Sequence, residues 1–175
     1  MLPYICGVSA RRDERETMQA DELEQLIGAR LIASSRTVST ADSCSGGLIA
    51  HRITNVSGSS RYFLGGVVSY SNVAKESLLG VPHELLAAHG AVSGLVARAM
   101  AEGARRVFGS DYAIGATGIA GPTGSTPDKP VGLVYIAVAS PHGTFVTEHR
   151  FDGPREEVKE KTAETALTLL LEHLK

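Results

Sequence analysis

Ser43 is the residue of this sequence best placed to act as a nucleophile. It follows a short run of β-branched residues and precedes Gly46, Gly47 and an apolar helical segment. In a strand–turn–helix layout, backbone N–H groups around Ser45 to Gly47 can bind a developing oxyanion, which the helix dipole also favours. Glycines let the backbone approach a substrate closely. The alternative is that Ser43 only caps the helix, a common role of serine.

Lys75 is the candidate base for such a serine. It lies in the first turns of a predicted helix, and a lysine accepts a proton only if burial lowers its pKa from about 10.4. The alternative is an ordinary solvated surface lysine. Tyr70, at the end of the preceding strand, can hydrogen-bond Ser43 or Lys75, or it is a plain strand aromatic. Ser71 and Asn72 can cap the helix, and Asn72 is also a candidate substrate-binding residue.

Cys44 is the rival nucleophile. A thiol at a helix N-terminus can be reactive, but a cysteine amidase usually needs a histidine base. No histidine has a recognisable partner pattern, and His51 fits a surface or packing role. We therefore expect a buried, inert Cys44. With Cys6, it gives no disulfide framework, which favours a reduced cytoplasmic protein.

A second glycine-rich segment spans residues 117–126. Thr117, Gly118 and Gly121 begin a loop of alternating glycines and hydroxyl residues that can surround a phosphate with N–H and O–H donors. The loop lacks the Lys-Ser/Thr ending of a P-loop and the spacing of a dinucleotide fingerprint. The alternative is a long structural turn.

Arg155 begins the last predicted helix. A guanidinium there can bind a phosphate or carboxylate bidentately, with Lys159 one turn later on the same face. The alternative is a solvated helix start. His89 is expected in a turn. The histidines and acidic residues show no metal-ligand spacing, so the sequence predicts no metal and no cofactor.

Alternating strands and helices must position these residues. Asp21 is the predicted N-cap of the first helix, with Glu24 completing a capping box. The pattern predicts a mixed sheet flanked by helices. The predicted strands are 37–41, 65–70, 112–116, 131–139 and 144–150, and the predicted helices are 21–35, 48–53, 71–79, 92–107 and one from Gly153 onward. Gly80 and Pro82 stop the helix over 71–79, and the helix over 92–107 has Ser93 near its start and Gly109 after its end.

Composition limits the class of protein. The 175 residues fit one domain, predicted over 19–175 after a flexible extension over 1–18. The net charge of −2 gives no electrostatic reason to expect nucleic acid or an anionic membrane as a partner. No apolar run approaches the length of a membrane span.

Five motifs together resemble the C-terminal domain family of the competence/damage-inducible protein CinA. They occur in the order seen in that family and cover roughly residues 20–175. They are residues 40–47, 65–72, 89–93, 117–122 and 129–132.

The resemblance implies a fold and an activity. It implies a three-layer α/β/α sandwich with a mixed, mostly parallel sheet, often in a homo-oligomer. Members of the family include amidases that hydrolyse nicotinamide mononucleotide to nicotinate mononucleotide and ammonia without a metal. Ser43 and Lys75 match the catalytic pair, and the loop from Thr117 matches part of the pocket for this small nucleotide.

The sequence also departs from the family pattern. Asp42 replaces a usual Glu, Ser45 a usual Thr, and Gly94 a usual Glu, and the loop over 121–125 has fewer glycines. The chain resembles the stand-alone amidase form, without the N-terminal pyrophosphatase-like domain of larger members. Two alternatives remain open: a nucleotide-binding regulatory module with little turnover, and an interaction protein of competence or DNA repair.

Overall fold

The computed structural model describes the backbone of residues 14–174 and side chains from Glu22 onward. Helices and strands alternate through the first half, and a strand pair precedes the last helix. The helices are α1 (Glu14–Ala33), α2 (Leu48–Thr54), α3 (Asn72–Leu79), α4 (His83–His89), α5 (Gly94–Phe108) and α6 (Arg155–His173). The strands are β1 (Val38–Asp42), β2 (Phe63–Val68), β3 (Tyr112–Gly118), β4 (Leu133–Ser140) and β5 (Gly143–Arg150).

The five strands form one mixed sheet in the order β2-β1-β3-β4-β5. β1 pairs in parallel with β2 and β3, whereas β3–β4 and β4–β5 are antiparallel. Four strands therefore run in one direction and only β4 opposes them, although the pairings divide evenly between parallel and antiparallel. Helices α1, α2 and α6 cover one face and α3, α4 and α5 the other, which confirms the three-layer α/β/α sandwich.

Side-chain size differs between the two faces of the sheet. On β4, Ile136 and its even-numbered neighbours pack toward α6, while Ala137 and Ala139 face α5. The small side chains let α5 lie close to the sheet. At Gly115 a Cβ atom would lie 2.5 Å from the carbonyl oxygen of Ala97, so only glycine fits there.

Several predicted helix ends are confirmed. Ser71 caps α3 and Ser93 caps α5 through their side-chain oxygens. Gly80 and Gly109 follow these two helices in the left-handed conformation that glycine adopts without strain. None of the helices among the described residues is long and apolar enough to cross a bilayer.

Two local predictions were wrong. Helix α1 already includes Glu14 and runs through Asp21, so Asp21 is not its N-cap, and the Glu24 carboxylate accepts from Arg52 on α2 instead of completing a capping box. His89, expected in a turn, is the last residue of helix α4. This helix was not predicted, because Gly80 and Pro82 indicate only the end of the preceding helix. Residues 1–13, most of the predicted extension, lie outside the described residues.

Candidate active site

The carboxyl ends of the neighbouring strands β1, β2 and β3 meet at one edge of the sheet. Asp42 pairs with Val68 in the parallel register, so Ser43 and Ser69 leave the sheet side by side. Beyond them lies a pocket of ≈ 200 Å³, lined by Ser43, Cys44, Tyr70, Lys75, Ala91, Val92, Thr117, Gly118, Ala120 and Arg155. A larger cavity of ≈ 620 Å³ between α1, α2 and α6 contains neither Ser43 nor Lys75.

Ser43 and Lys75 meet in this pocket. The Lys75 Nζ atom lies 3.0 Å from Ser43 Oγ and 2.7 Å from the carbonyl oxygen of Ser69. Lys75 is 1% exposed, and no carboxylate forms an ion pair with it in the described part of the chain. Burial therefore lowers the pKa of Lys75 below 10.5, which favours the neutral amine that a base requires.

Asp42 holds the turn that follows Ser43. Its carboxylate accepts the Ser45 N–H at 2.9 Å, the Gly47 N–H at 2.8 Å and the Ser45 hydroxyl. Of the N–H groups predicted to bind an oxyanion over Ser45 to Gly47, those of Ser45 and Gly47 are therefore occupied, so the prediction is wrong for these two residues and stays open for Gly46. Helix α2 is capped by Gly47 without a side-chain bond, so capping by Ser43 is also excluded. Gly46 and Gly47 have φ of 71° and 99°, which favour glycine.

Cys44 faces the interior. It is 5% exposed, and its Sγ atom lies 3.9 Å from Thr162 Oγ1 on α6. Burial raises the pKa of the Cys44 thiol to about 11, so the group is protonated near neutral pH. Ser43, not Cys44, is thus the available nucleophile in this pocket.

Arg155 links two walls of the pocket. Its guanidinium donates to the Gly121 carbonyl oxygen at 2.9 Å and to the Tyr70 hydroxyl at 2.9 Å. Tyr70 is 65% exposed and bonds Arg155, so the prediction that it hydrogen-bonds Ser43 or Lys75 is wrong. No carboxylate forms an ion pair with Arg155 in residues 22–174, which leaves its charge available to an anion.

The remaining predicted residues divide into two groups. Thr117 and Gly118 line the pocket, and the Thr117 hydroxyl donates to the Ala91 carbonyl oxygen at 2.8 Å. Asn72 is exposed at the start of α3 and is not among the lining residues. No group of three or more potential metal ligands occurs within the described residues.

Two features of the site were not predicted from the sequence. The first is Asp42, although an aspartate that accepts N–H groups from the next few residues is a known turn signal. The second is the wall that Ala91 and Val92 form ahead of α5. Lys129, just after the glycine-rich loop, holds the segment that leads into this wall, since its Nζ atom donates to the carbonyl oxygen of His89 at 2.6 Å. No local pattern marks that contact, because it joins residues distant in the chain.

Comparison with known proteins gives one consistent family. The CinA C-terminal domain family matches residues 20–174. A CinA-like protein of Koribacter versatilis is 54% identical over 154 residues, covering 88% of this chain and 37% of the relative. One from Geobacter sulfurreducens is 58% identical over 138 residues, covering 79% and 33%. The chain thus spans about a third of these relatives' length.

Solved structures agree with this match. A competence/damage inducible protein of Agrobacterium tumefaciens superposes with a TM-score of 0.85 at 41% identity, covering 87% of this chain and 94% of that one. The competence damage-inducible protein A of Klebsiella pneumoniae gives 0.86 at 34% identity, covering 89% and 96%.

Proposed function

Because the chain belongs to the CinA C-terminal domain family, we propose that it is an amidohydrolase that converts nicotinamide mononucleotide to nicotinate mononucleotide and ammonia. One observation carries the proposal. The buried Lys75 amine lies 3.0 Å from the Ser43 hydroxyl, without a carboxylate partner in the described residues. A serine beside an uncharged amine is an activated nucleophile, as covalent catalysis requires.

Acylation begins with proton transfer. The neutral Lys75 amine takes the Ser43 hydroxyl proton while Oγ attacks the carboxamide carbon, and the C=O electrons move onto oxygen. Lys75 then gives the proton to the amide nitrogen. The C–N bond breaks, ammonia leaves, and a nicotinoyl ester forms on Ser43.

Deacylation uses the same two side chains. Lys75 takes a proton from a water molecule as the water oxygen attacks the ester carbonyl. The intermediate collapses, the bond to Ser43 Oγ breaks, and Lys75 returns the proton to Oγ. The product leaves as nicotinate mononucleotide. The positive pyridinium ring makes the carboxamide carbon more electrophilic, so the chemistry needs no metal.

The far wall of the pocket suits the phosphate of such a substrate. Arg155 donates only to neutral oxygens, those of Gly121 and Tyr70, so a phosphate offers it a stronger, charge-assisted partner. The loop from Thr117 lies on the same side. Arg155 would thus fix the phosphate while the carboxamide reaches Ser43.

Ammonia release from nicotinamide mononucleotide tests the proposal. Wild type should release ammonia, and the Ser43→Ala variant should lose that release because no nucleophile remains. Ser77→Ala is a matched control, since Ser77 is an exposed serine on α3 whose hydroxyl only bonds the Val73 carbonyl oxygen. Equal release by wild type and Ser43→Ala would reject the amidase.

A further inference from the structure

We propose that Asp42 is a positioning residue that reserves the backbone N–H groups of Cys44 and Gly46 for the oxyanion formed at Ser43. The inference rests on the proposed function, because it names the donors for that reaction's tetrahedral intermediate. Cys44 and Gly46 are assigned as donors instead of Ser45 and Gly47, because the N–H groups of Ser45 and Gly47 already bond the Asp42 carboxylate.

The allocation of donors in the turn alternates. The Ser43 N–H donates to the Ala116 carbonyl oxygen at 2.9 Å, which ties the nucleophile to β3. Asp42 takes the N–H groups of Ser45 and Gly47. Between residues 43 and 47, the N–H groups of Cys44 and Gly46 are the two for which no acceptor occurs in the described part of the chain. These two donors are therefore the ones left for a substrate oxygen.

The carboxylate of Asp42 makes this allocation rigid. The residue is 1% exposed and pairs with no cation in residues 22–174. A carboxylate that is buried without hydrogen bonds is strongly unfavourable, more so than a neutral polar group. Its three donors from Ser45 and Gly47 offset that cost, so a turn that released them would be strongly disfavoured.

Asp42 also connects the turn to the base. Its carbonyl oxygen accepts the Ser69 N–H at 2.9 Å, and the Ser69 carbonyl oxygen in turn accepts from Lys75 at 2.7 Å. One residue thus fixes the turn through its side chain and the anchor of Lys75 through its backbone. The side chain controls only the donors, so its removal should affect the intermediate more than the base.

The position of Cys44 suits an oxyanion donor. It is the residue directly after the nucleophile, whose N–H commonly contributes to oxyanion sites in serine hydrolases. Its thiol is held among α6 residues beside Thr162, which leaves the backbone as the part that can serve the pocket. Burial and the Asp42 charge raise the pKa of the Cys44 thiol, and Arg155 and Lys159 lower it by smaller amounts. For an oxyanion beside the thiol, these two cations offset part of the repulsion from Asp42.

Gly46 shares this positive environment. A Cβ atom at Gly46 would lie 3.8 Å from the Lys159 Nζ atom, so the ammonium group lies directly beside the turn. Lys159 forms no ion pair in residues 22–174. The free N–H group of Gly46 thus belongs to a turn that lies beside the Lys159 ammonium group.

A substrate-independent probe separates this inference from the proposed function. Diisopropyl fluorophosphate modifies an activated serine: Oγ attacks phosphorus through a five-coordinate centre whose phosphoryl oxygen carries negative charge. The P–F bond breaks, fluoride leaves and the base takes the serine proton. We would measure the rate of Ser43 modification by mass spectrometry for wild type, Asp42→Asn and Asp42→Glu. Asp111→Asn is the control, since that carboxylate accepts the Thr37 N–H and hydroxyl outside the pocket.

We expect Asp42→Asn to slow modification about 10²-fold, the loss typical of one oxyanion donor. The amide places N–H groups against backbone N–H groups, so the turn must rearrange. Asp42→Glu keeps a carboxylate and should recover most of the rate. Asp111→Asn should react at the wild-type rate even if its thermal unfolding temperature falls. With nicotinamide mononucleotide, Asp42→Asn should lower kcat while KM changes little.

The outcomes are distinct. A wild-type rate in Asp42→Asn, an equal loss in Asp111→Asn, or no modification of wild-type Ser43 would overturn the inference. If wild type releases no ammonia from nicotinamide mononucleotide but modification still depends on Asp42, the proposed substrate fails and the oxyanion assignment stands. If wild type releases ammonia and Asp42→Asn matches wild type in both assays, the oxyanion assignment fails and the proposed function stands.

Discussion

Replacing Lys75 separates two ways in which a buried amine can assist Ser43. As a base, Lys75 must be neutral for part of the time, whereas as a fixed positive charge it need never lose its proton. Lys75→Met keeps an unbranched side chain but removes the amine. Lys75→Arg keeps a positive charge, because a guanidinium stays protonated at any working pH. Both variants lose a base, whereas only Lys75→Met loses a fixed positive charge.

The structure sets the size of the expected effect. The Lys75 Nζ atom bonds Ser43 Oγ and the Ser69 carbonyl oxygen, so its loss removes proton transfer and leaves the phosphate side of the pocket intact. General base catalysis contributes about 10²- to 10⁴-fold. We therefore expect kcat to fall by that factor in both variants, about 2.7–5.5 kcal/mol in the activation free energy. KM should change little.

The assay is steady-state ammonia release from nicotinamide mononucleotide, coupled to glutamate dehydrogenase, with thermal unfolding as the folding control. Lys75→Arg activity within tenfold of wild type, with Lys75→Met inactive, would contradict the base assignment and support a fixed charge. Activity of Lys75→Met within threefold of wild type would refute any role of the amine in the chemistry.

Stability against pH gives an independent check on the neutral amine. Burial lowers the folded-state pKa of Lys75 below 10.5. At pH values between the lowered pKa of the folded state and 10.5, the unfolded chain binds more protons at Lys75 than the folded chain. The free energy of unfolding therefore rises with pH in this range. That slope should be present in wild type and absent in Lys75→Met. Identical slopes in chemical denaturation would show that folding does not lower the pKa of Lys75.

Four further outcomes are expected. Wild-type kcat/KM should rise with pH, tenfold per unit at first, to a midpoint below 10.5, because the neutral fraction of Lys75 rises; a midpoint at or above pH 10.5 would disagree. Arg155→Ala should raise KM for nicotinamide mononucleotide about 10- to 100-fold, because it removes a charged hydrogen bond to the phosphate worth about 1.5–3 kcal/mol. The KM for the unphosphorylated riboside should not change. Iodoacetamide at pH 8 should leave folded Cys44 unmodified, since its thiol pKa is about 11; rapid alkylation seen by mass spectrometry would contradict this. Gly115→Ala should lower the free energy of unfolding by about 1–3 kcal/mol or more through overpacking against Ala97, measured by urea denaturation.

The sequence alone was sufficient for the elements that local rules control. Ser71 and Ser93 cap their helices, because a capping hydroxyl needs only the N–H groups two or three residues ahead. The alternation of strands and helices likewise predicted the layered fold, since each element must bury one apolar face. Helix α4 was missed, because it is short and its start carries a proline that reads as a stop.

The site depended on the tertiary structure. Ser43 and Lys75 are 32 residues apart, and only the parallel register of Asp42 with Val68 brings them to one edge of the sheet. Whether the Lys75 amine is buried, and hence favours its neutral form, depends on helices packed from elsewhere in the chain. Likewise the partner of Tyr70 is Arg155, 85 residues away. Residue type and spacing determined which groups could react, and long-range packing determined which of them meet and in which charge state.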